Sequence, residues 1–220
     1  MTRRTALLFD LDGTLTDPRE GITRCIAHAL VRMGRTPPPL DELLFAIGPP
    51  LRPTFGRLLE TDDRERIEAA LAAYRERFAT VGLFENALYA NIRESLQAAH
   101  EAGHRLYLAT SKPHVYATRI LDHFGIATYF SGVYGSELDG RRDDKGELVA
   151  HLLTNEKLVA ANCRMFGDRL HDVVGARKNG VEAVGVTWGY GSRQELLEAG
   201  AVALCDAPEH LRRHFGDSQF

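Results

Sequence analysis

The chain has 220 residues, of which 44% are hydrophobic and 26% are charged, a composition that argues against disorder or a fibrous protein. The net charge of −3 at pH 7, without a long basic run, excludes a polycationic surface, so a nucleic acid polymer is a poor partner. No apolar stretch approaches membrane-spanning length, and three widely separated cysteines favour a reducing, cytoplasmic location.

The predicted elements fall into two regions along the chain. A buried strand at 5–9 comes first, and only helices follow it, at 18–33, 54–60 and 62–80. Predicted strands at 105–110, 129–135, 163–168 and 181–188 then alternate with predicted helices at 86–102, 113–124, 145–160 and 170–179. This alternation indicates a parallel sheet covered by helices on both faces. We predict an α/β fold with a five-stranded parallel sheet, an α-helical insert after the first strand, and a frayed tail at 216–220.

Polar side chains follow three of the predicted strands. Asp10, Thr110 and Asp168 each stand where a strand ends, and ligands of open parallel sheets bind at that edge. Asp12 and Asp172 add two more carboxyl groups nearby. Four carboxylates would repel one another in a partly buried site, and a divalent cation such as Mg²⁺ relieves that repulsion.

The motifs DLDGTLTD, LATSKP, DDKGE and GDRLHD occur in the order and rough spacing of the haloacid dehalogenase superfamily, which the chain resembles over almost its whole length. Most members of that superfamily are phosphatases. The resemblance implies a Rossmann-like core at 1–16 and 84–220. The insert at 17–83 resembles the small helical cap of the branch that contains phosphoglycolate phosphatases and β-phosphoglucomutases. The stretches AIGPPL and WGYGS are similar to a 5′-nucleotidase-like branch.

The resemblance also implies catalytic roles. Asp10 is the expected nucleophile, which forms an aspartyl phosphate, and Asp12 is the expected general acid and base. Thr110 would donate its hydroxyl to the phosphoryl group. Mg²⁺ would bind Asp10, the backbone carbonyl of Asp12, Asp168 and Asp172, the last directly or through water.

Further residues are expected to bind the phosphate or the substrate. Backbone N–H groups near Gly13 and Ser111 would contact the phosphoryl group. The phosphate lysine is Lys145 by its position in the family pattern, although Lys112 beside Thr110 is the alternative. Arg52, in the insert, could touch the substrate or be a solvated arginine.

We therefore expect a Mg²⁺-dependent phosphomonoester hydrolase acting on 5′-nucleotides or a similar small phosphorylated metabolite. A phosphoglycolate phosphatase is the alternative, and a phosphomutase is a more distant one. A phosphonatase would need a lysine in the cap, and residues 17–83 contain none. Neither a receiver-type signalling domain nor an inactive scaffold would turn over substrate with Mg²⁺. The sequence does not indicate the oligomeric state.

Overall fold

The structure of the protein, a computed structural model, is described here over residues 6–215, so the tail predicted to fray lies outside the described residues. The chain divides into two compact units. One holds the residues up to Asp17 and those from Leu88 onward, and the other is Pro18–Ala87.

The first unit is built on a parallel sheet. The strands of the described residues are β1 (Ala6–Phe9), β2 (Thr16–Asp17), β3 (Ala87–Leu88), β4 (Arg105–Pro113), β5 (Phe130–Ser136), β6 (Cys163–Gly167), β7 (Glu182–Val186) and β8 (Ala203–Cys205). Six of them form one sheet in the order β5-β4-β1-β6-β7-β8, and each neighbouring pair is parallel. The short strands β2 and β3 form a separate two-stranded sheet.

Helices account for most of the remaining chain. They are α1 (Arg19–Arg32), α2 (Leu51–Leu59), α3 (Arg64–Arg77), α4 (Ile92–Glu101), α5 (His114–His123), α6 (Lys145–Asn155), α7 (Leu170–Lys178) and α8 (Arg193–Ala199). A π-helical turn at Phe78–Gly82 follows α3, and 3₁₀ segments lie at Leu40–Ala46, Ala127–Tyr129, Ala160–Asn162 and Pro208–His214. None of the helices between residues 6 and 215 is long and apolar enough to cross a membrane.

The predicted α/β class is confirmed, but the predicted number of five strands is wrong, because β8 adds a sixth strand beside β7. Its three residues are too few to show a strand periodicity. Several boundaries also differ from the prediction. Helix α2 begins at Leu51, α3 ends at Arg77 before the π-helical turn, and β4 runs on to Pro113. Helix α4 begins only at Ile92 because Asn91 has a positive φ of 62°, and α6 ends at Asn155, shortly before Lys157 with a φ of 52°.

The core positions the carboxyl ends of three strands side by side. Strand β1 lies between β4 and β6, and its residues Leu7, Leu8 and Phe9 are fully buried. Phe9 stacks on Phe166 of β6 with ring centroids 4.9 Å apart. Because β1 is buried on both faces, an apolar run fits it, and the polar residues that follow must lie at the sheet edge.

The described elements of the second unit are helical apart from Ala87, the first residue of β3. In α3, Leu71 and Tyr74 are buried, and Tyr74 stacks on Phe78 with ring centroids 5.2 Å apart. Arg77 donates to Glu85 at 2.6 Å, which links the end of α3 to the segment after the π-helical turn.

Candidate active site

Asp10 and Lys145 form the centre of the site. Asp10 follows β1, and its backbone N–H donates to the carbonyl of Phe166 at 2.9 Å. The Nζ of Lys145, the first residue of α6, donates to Oδ1 of Asp10 at 2.8 Å and to the carbonyl of Ala109 at 2.9 Å, and it pairs with Oδ1 of Asp172 at 2.7 Å. Burial alone would lower the pKa of Lys145, but the two carboxylates outweigh it and raise the pKa. The lysine is therefore cationic at neutral pH.

Asp168 and Asp172 come from the turn between β6 and α7. Asp168 is fully buried; its Oδ2 accepts from the backbone N–H of Tyr190 at 2.8 Å, and its Oδ1 accepts from the hydroxyl of Thr14 at 3.3 Å. Burial raises its pKa well above the ordinary value, and Asp172 and Asp10 raise it further. Burial also raises the pKa of Asp172 to about 6, against the lowering effect of Lys145. The charged forms of both carboxyl groups are therefore costly in this site, and a proton or a bound cation would neutralise them.

Asp10, Asp168 and Asp172 form a compact set of oxygen donors, which we call the acid cluster. One carboxylate oxygen of each lies within 4.8 Å of the others. Among residues 6–215, the buried charged side chains are these three, Asp12 and two lysines, so negative charge exceeds positive charge by two. Three clustered carboxylates with an excess of two negative charges fit a hard divalent cation. The side chain of Asp12 is not one of the three donors.

Asp12 pairs with Lys112 instead. The Nζ of Lys112 lies 2.8 Å from Oδ2 of Asp12, and both side chains are buried. Oδ1 of Asp12 is buried as well and has no hydrogen-bond partner within the described part of the chain. Burial raises the pKa of Asp12, and Lys112 works against that increase. One carboxylate oxygen is therefore fixed, while the other is left for a ligand.

Gly13 allows the turn after Asp12 to pack directly on Asp168. Its φ is +87°, and a Cβ built at this position would lie 2.2 Å from Oδ2 of Asp168. The N–H of Gly13 donates to the carbonyl of Thr16 at 2.8 Å, which closes the turn. A side chain at position 13 would therefore displace the acid cluster as well as strain the backbone.

The segment Trp188–Gly191, which we call the WGYG segment, follows β7 and lies against the same turn. The indole N–H of Trp188 donates to the carbonyl of Thr14 at 3.0 Å. A Cβ at Gly189 would lie 2.4 Å from both Cβ of Asp168 and the carbonyl oxygen of Gly13. No site residue was predicted in this segment, although two glycines flanking a tyrosine after a strand are a signal of close backbone approach.

Comparison with known proteins agrees with this geometry. The profile of the haloacid dehalogenase-like hydrolase family matches residues 7–186. The chain belongs to this family. It is 51% identical over 207 residues to a 5′-nucleotidase of Pseudomonas aeruginosa, a match that covers 94% of this chain and 93% of that protein. The predicted family is thereby confirmed.

Two further similarities concern other members and neighbours of the haloacid dehalogenase-like group. The tyrosine-protein kinase PtkA of Mycobacterium tuberculosis is 40% identical over 212 residues, which cover 96% of this chain and 72% of that protein. A crystal structure described as a predicted phosphatase from Clostridium acetobutylicum superposes with a TM-score of 0.92 at 37% identity, covering 96% of this chain and 97% of that one. The family match, the 5′-nucleotidase relative and this structural neighbour identify the chain as a phosphatase of the haloacid dehalogenase-like family.

The remaining predicted site residues of this haloacid dehalogenase-like protein lie in two places. Thr110 is buried in β4, where it pairs with Gly135 of β5, and its Oγ1 accepts from the N–H of Lys112 at 3.2 Å. The carbonyl of Ser111 accepts from the hydroxyl of Ser136 at 2.8 Å. Arg52 belongs to the second unit, where its Nε pairs with Glu68 at 2.5 Å. The roles of these residues stay predictions.

Proposed function

We propose that the protein is a Mg²⁺-dependent phosphomonoester hydrolase that forms an aspartyl phosphate on Asp10. The observation that carries this proposal is the buried cluster in which Asp10 meets Asp168, Asp172 and Lys145. Such a site can bring an anionic nucleophile and an anionic substrate together only if cationic groups compensate the charge. The cluster offers one lysine and a set of donors for a divalent cation.

Asp10, Asp168 and Asp172 would hold Mg²⁺, and the backbone carbonyl of Asp12 is a further expected ligand. When bound, the cation would screen the negative charges of the phosphoryl oxygens and the nucleophile. This proposal relies on the fit of the acid cluster to a divalent oxygen-binding cation.

Asp10 would attack phosphorus through a carboxylate oxygen, and the bond from phosphorus to the ester oxygen would break. Lys145 supports this role because it fixes Oδ1 of Asp10 at 2.8 Å and keeps a positive charge beside the reacting group. The hydroxyl of Thr110, backbone N–H groups near Gly13 and Ser111, and Lys145 would bind the phosphoryl oxygens. Donors held in place before the reaction are what phosphoryl transfer requires.

Asp12 would give its proton to the departing alkoxide. In the second step it would accept a proton from the water that attacks the aspartyl phosphate, which releases phosphate and restores Asp10. The unpartnered Oδ1 of Asp12 supports this role because it is the oxygen left open for transfer. A raised pKa of Asp12 favours the protonated form needed in the first step.

We propose 5′-nucleotides as the substrate class, supported by the 51% identity to the Pseudomonas aeruginosa 5′-nucleotidase. We also propose a cytoplasmic location, which the three free cysteines Cys25, Cys163 and Cys205 support. The name of the PtkA relative raises a kinase hypothesis, which predicts phosphoryl transfer from ATP to a tyrosine-containing peptide.

Phosphate release from 5′-nucleotides, phosphoglycolate and sugar phosphates, with Mg²⁺ or with EDTA, tests the proposal. We expect Mg²⁺-dependent turnover that is highest with 5′-nucleotides and is abolished in Asp10→Asn. A preference for phosphoglycolate would instead support the alternative, a phosphoglycolate phosphatase. Undiminished turnover in Asp10→Asn would remove Asp10 from the mechanism. Transfer from ATP to the peptide without phosphate release would favour the kinase hypothesis.

A further inference from the structure

The WGYG segment connects the acid cluster to the turn that carries Asp12, yet the proposed catalytic steps use none of its side chains. Tyr190 makes two of these connections by itself. Its backbone N–H donates to Oδ2 of Asp168, and its hydroxyl donates to Oδ1 of Asp17. A third bond runs from the indole of Trp188 to the carbonyl of Thr14.

Asp17 is the far end of the turn that starts at Asp10. Bonds within the turn, from Gly13 N–H to Thr16 and from Thr16 N–H to Leu11, give the turn its shape. They do not fix its position against the rest of the unit. The near end is held by the pairing of β1 and by Lys145. At the far end, the bond from Tyr190 to Asp17 adds a side-chain anchor to the main-chain bonds of Thr14 and Leu15 and to the pairing of β2 with β3.

The place of Asp17 in the chain makes this anchor significant. Asp17 ends the first unit before the chain passes to Pro18, and the chain returns to that unit at Leu88. Tyr89 follows at once, and its N–H donates to the carbonyl of Leu15 at 3.1 Å. Burial raises the pKa of both tyrosines, so both hydroxyls are neutral at physiological pH, and that of Tyr190 donates to Asp17.

We propose that Tyr190 is a positioning residue. Its hydrogen bond to Asp17, at the end of the turn that carries Asp12, holds that turn in a fixed position relative to Asp168. The inference rests on the proposed function, since the anchor matters for turnover only if Asp12 transfers a proton. Tyr190 thus hydrogen-bonds to Asp168, an expected metal ligand, through its main chain. Through its side chain it hydrogen-bonds to Asp17, at the end of the turn that carries Asp12. Loss of the hydroxyl removes the bond between Tyr190 and Asp17 and loosens the far end of the turn, while the main-chain bond to Asp168 remains.

Tyr190→Phe tests the inference, with Tyr134→Phe as a matched control. Tyr134 also donates its hydroxyl to a carboxylate, that of Glu156 at 2.7 Å, but Glu156 lies at the opposite end of α6 from Lys145, about 16 Å along the helix. We expect Tyr190→Phe to lower kcat on a 5′-nucleotide about tenfold, with KM and the Mg²⁺ midpoint within about twofold of wild type. Amide hydrogen exchange in residues 11–17 should accelerate on the order of tenfold. Tyr134→Phe should change none of these values.

Two variants of Asp17 complete the test. Asp17→Ala should reproduce the effects of Tyr190→Phe, and the double variant should be no worse than either single variant. Asp17→Asn keeps an oxygen acceptor and should restore wild-type exchange in residues 11–17.

Wild-type exchange in Tyr190→Phe would overturn the inference, as would a parallel loss of Mg²⁺ affinity, which would place its effect at Asp168. The exchange measurement needs no turnover, whereas failure of the wild-type protein to release phosphate would count against the proposed function alone.

Discussion

Lys112 and Asp12 form a buried ion pair of 2.8 Å that occupies one oxygen of the Asp12 carboxylate and leaves the other unpartnered within the described residues. From the sequence, Lys112 is expected to bind the phosphate as the alternative to Lys145. The pairing indicates that Lys112 also sets the orientation of Asp12, because an ammonium group fixed on Oδ2 directs Oδ1 away from itself. The two roles predict different kinetics.

Lys112→Met should impair substrates with a poor leaving group more than substrates with a good one. A 5′-nucleotide releases an alkoxide that needs a proton, whereas p-nitrophenyl phosphate releases a stable phenolate. We expect kcat to fall on the order of a hundredfold with the nucleotide and much less with p-nitrophenyl phosphate. Lys112→Arg should retain more activity because it keeps a cation at this position. An equal loss with both substrates, expressed in KM, would instead support the phosphate-binding role.

Asp168→Asn should stabilise the protein in EDTA while it weakens Mg²⁺ binding. Asp168 is a fully buried carboxylate whose pKa burial raises, and within residues 6–215 no lysine forms an ion pair with it. Removing its charge relieves the burial penalty, so we expect the free energy of unfolding at pH 7.5 to rise by about 1–3 kcal/mol. Thermal unfolding with and without Mg²⁺ checks both effects. A destabilised variant with an unchanged Mg²⁺ response would contradict the assignment of Asp168 as a ligand.

The sequence predicted the acid cluster well because its members are close along the chain or stand at strand ends. Asp168 and Asp172 lie four residues apart across one turn, and Asp10 ends the most apolar strand, so parallel topology alone brings them to one edge. Lys145 also occupies its predicted place, because the start of α6 adjoins Asp10.

Contacts that depend on backbone approach could not be predicted in the same way. The bond from Tyr190 to Asp17 joins residues 173 positions apart and requires glycines at 189 and 191 to lie against Asp168. The pairing of Lys112 with Asp12 depends on the shape of the turn at Gly13, which a residue pattern does not specify. Strand β8 was not predicted for a different reason, since three residues are too few to show the alternation of a strand.

The pH dependence of stability provides a test of the buried charge at Asp172. Its pKa is about 6 in the folded protein and 3.8 in the reference state, so the folded state binds this proton more tightly. The stabilising contribution of the protonated group is therefore complete below about pH 4 and is lost as pH rises through about 6. Above that pH, the charged group reduces the free energy of unfolding on the order of 2–3 kcal/mol.

Comparison of the wild-type protein with Asp172→Asn isolates this effect. Burial lowers the pKa values of His171 and His214, so their contribution to stability increases as pH rises, opposite to that of Asp172. Both histidines are present in both proteins, so the comparison cancels their contribution. We expect urea unfolding in EDTA to show that the stability of the variant relative to wild type increases between pH 4.5 and pH 7. A constant difference across this interval would mean that Asp172 has an ordinary pKa in the folded state.

Gly13→Ala and Gly34→Ala separate backbone strain from displacement of the acid cluster. Both glycines have positive φ values, 87° and 72°, so both substitutions strain the backbone by about 1 kcal/mol. A Cβ at Gly34 meets no atom within 4 Å, whereas a Cβ at Gly13 would lie 2.2 Å from Oδ2 of Asp168. We expect Gly34→Ala to lower the melting temperature slightly and to keep wild-type kcat. Gly13→Ala should lower kcat on the order of a hundredfold and raise the Mg²⁺ midpoint, because it moves Asp168. Steady-state kinetics with a Mg²⁺ titration measures both quantities, and wild-type values in Gly13→Ala would show that the acid cluster tolerates displacement of Asp168.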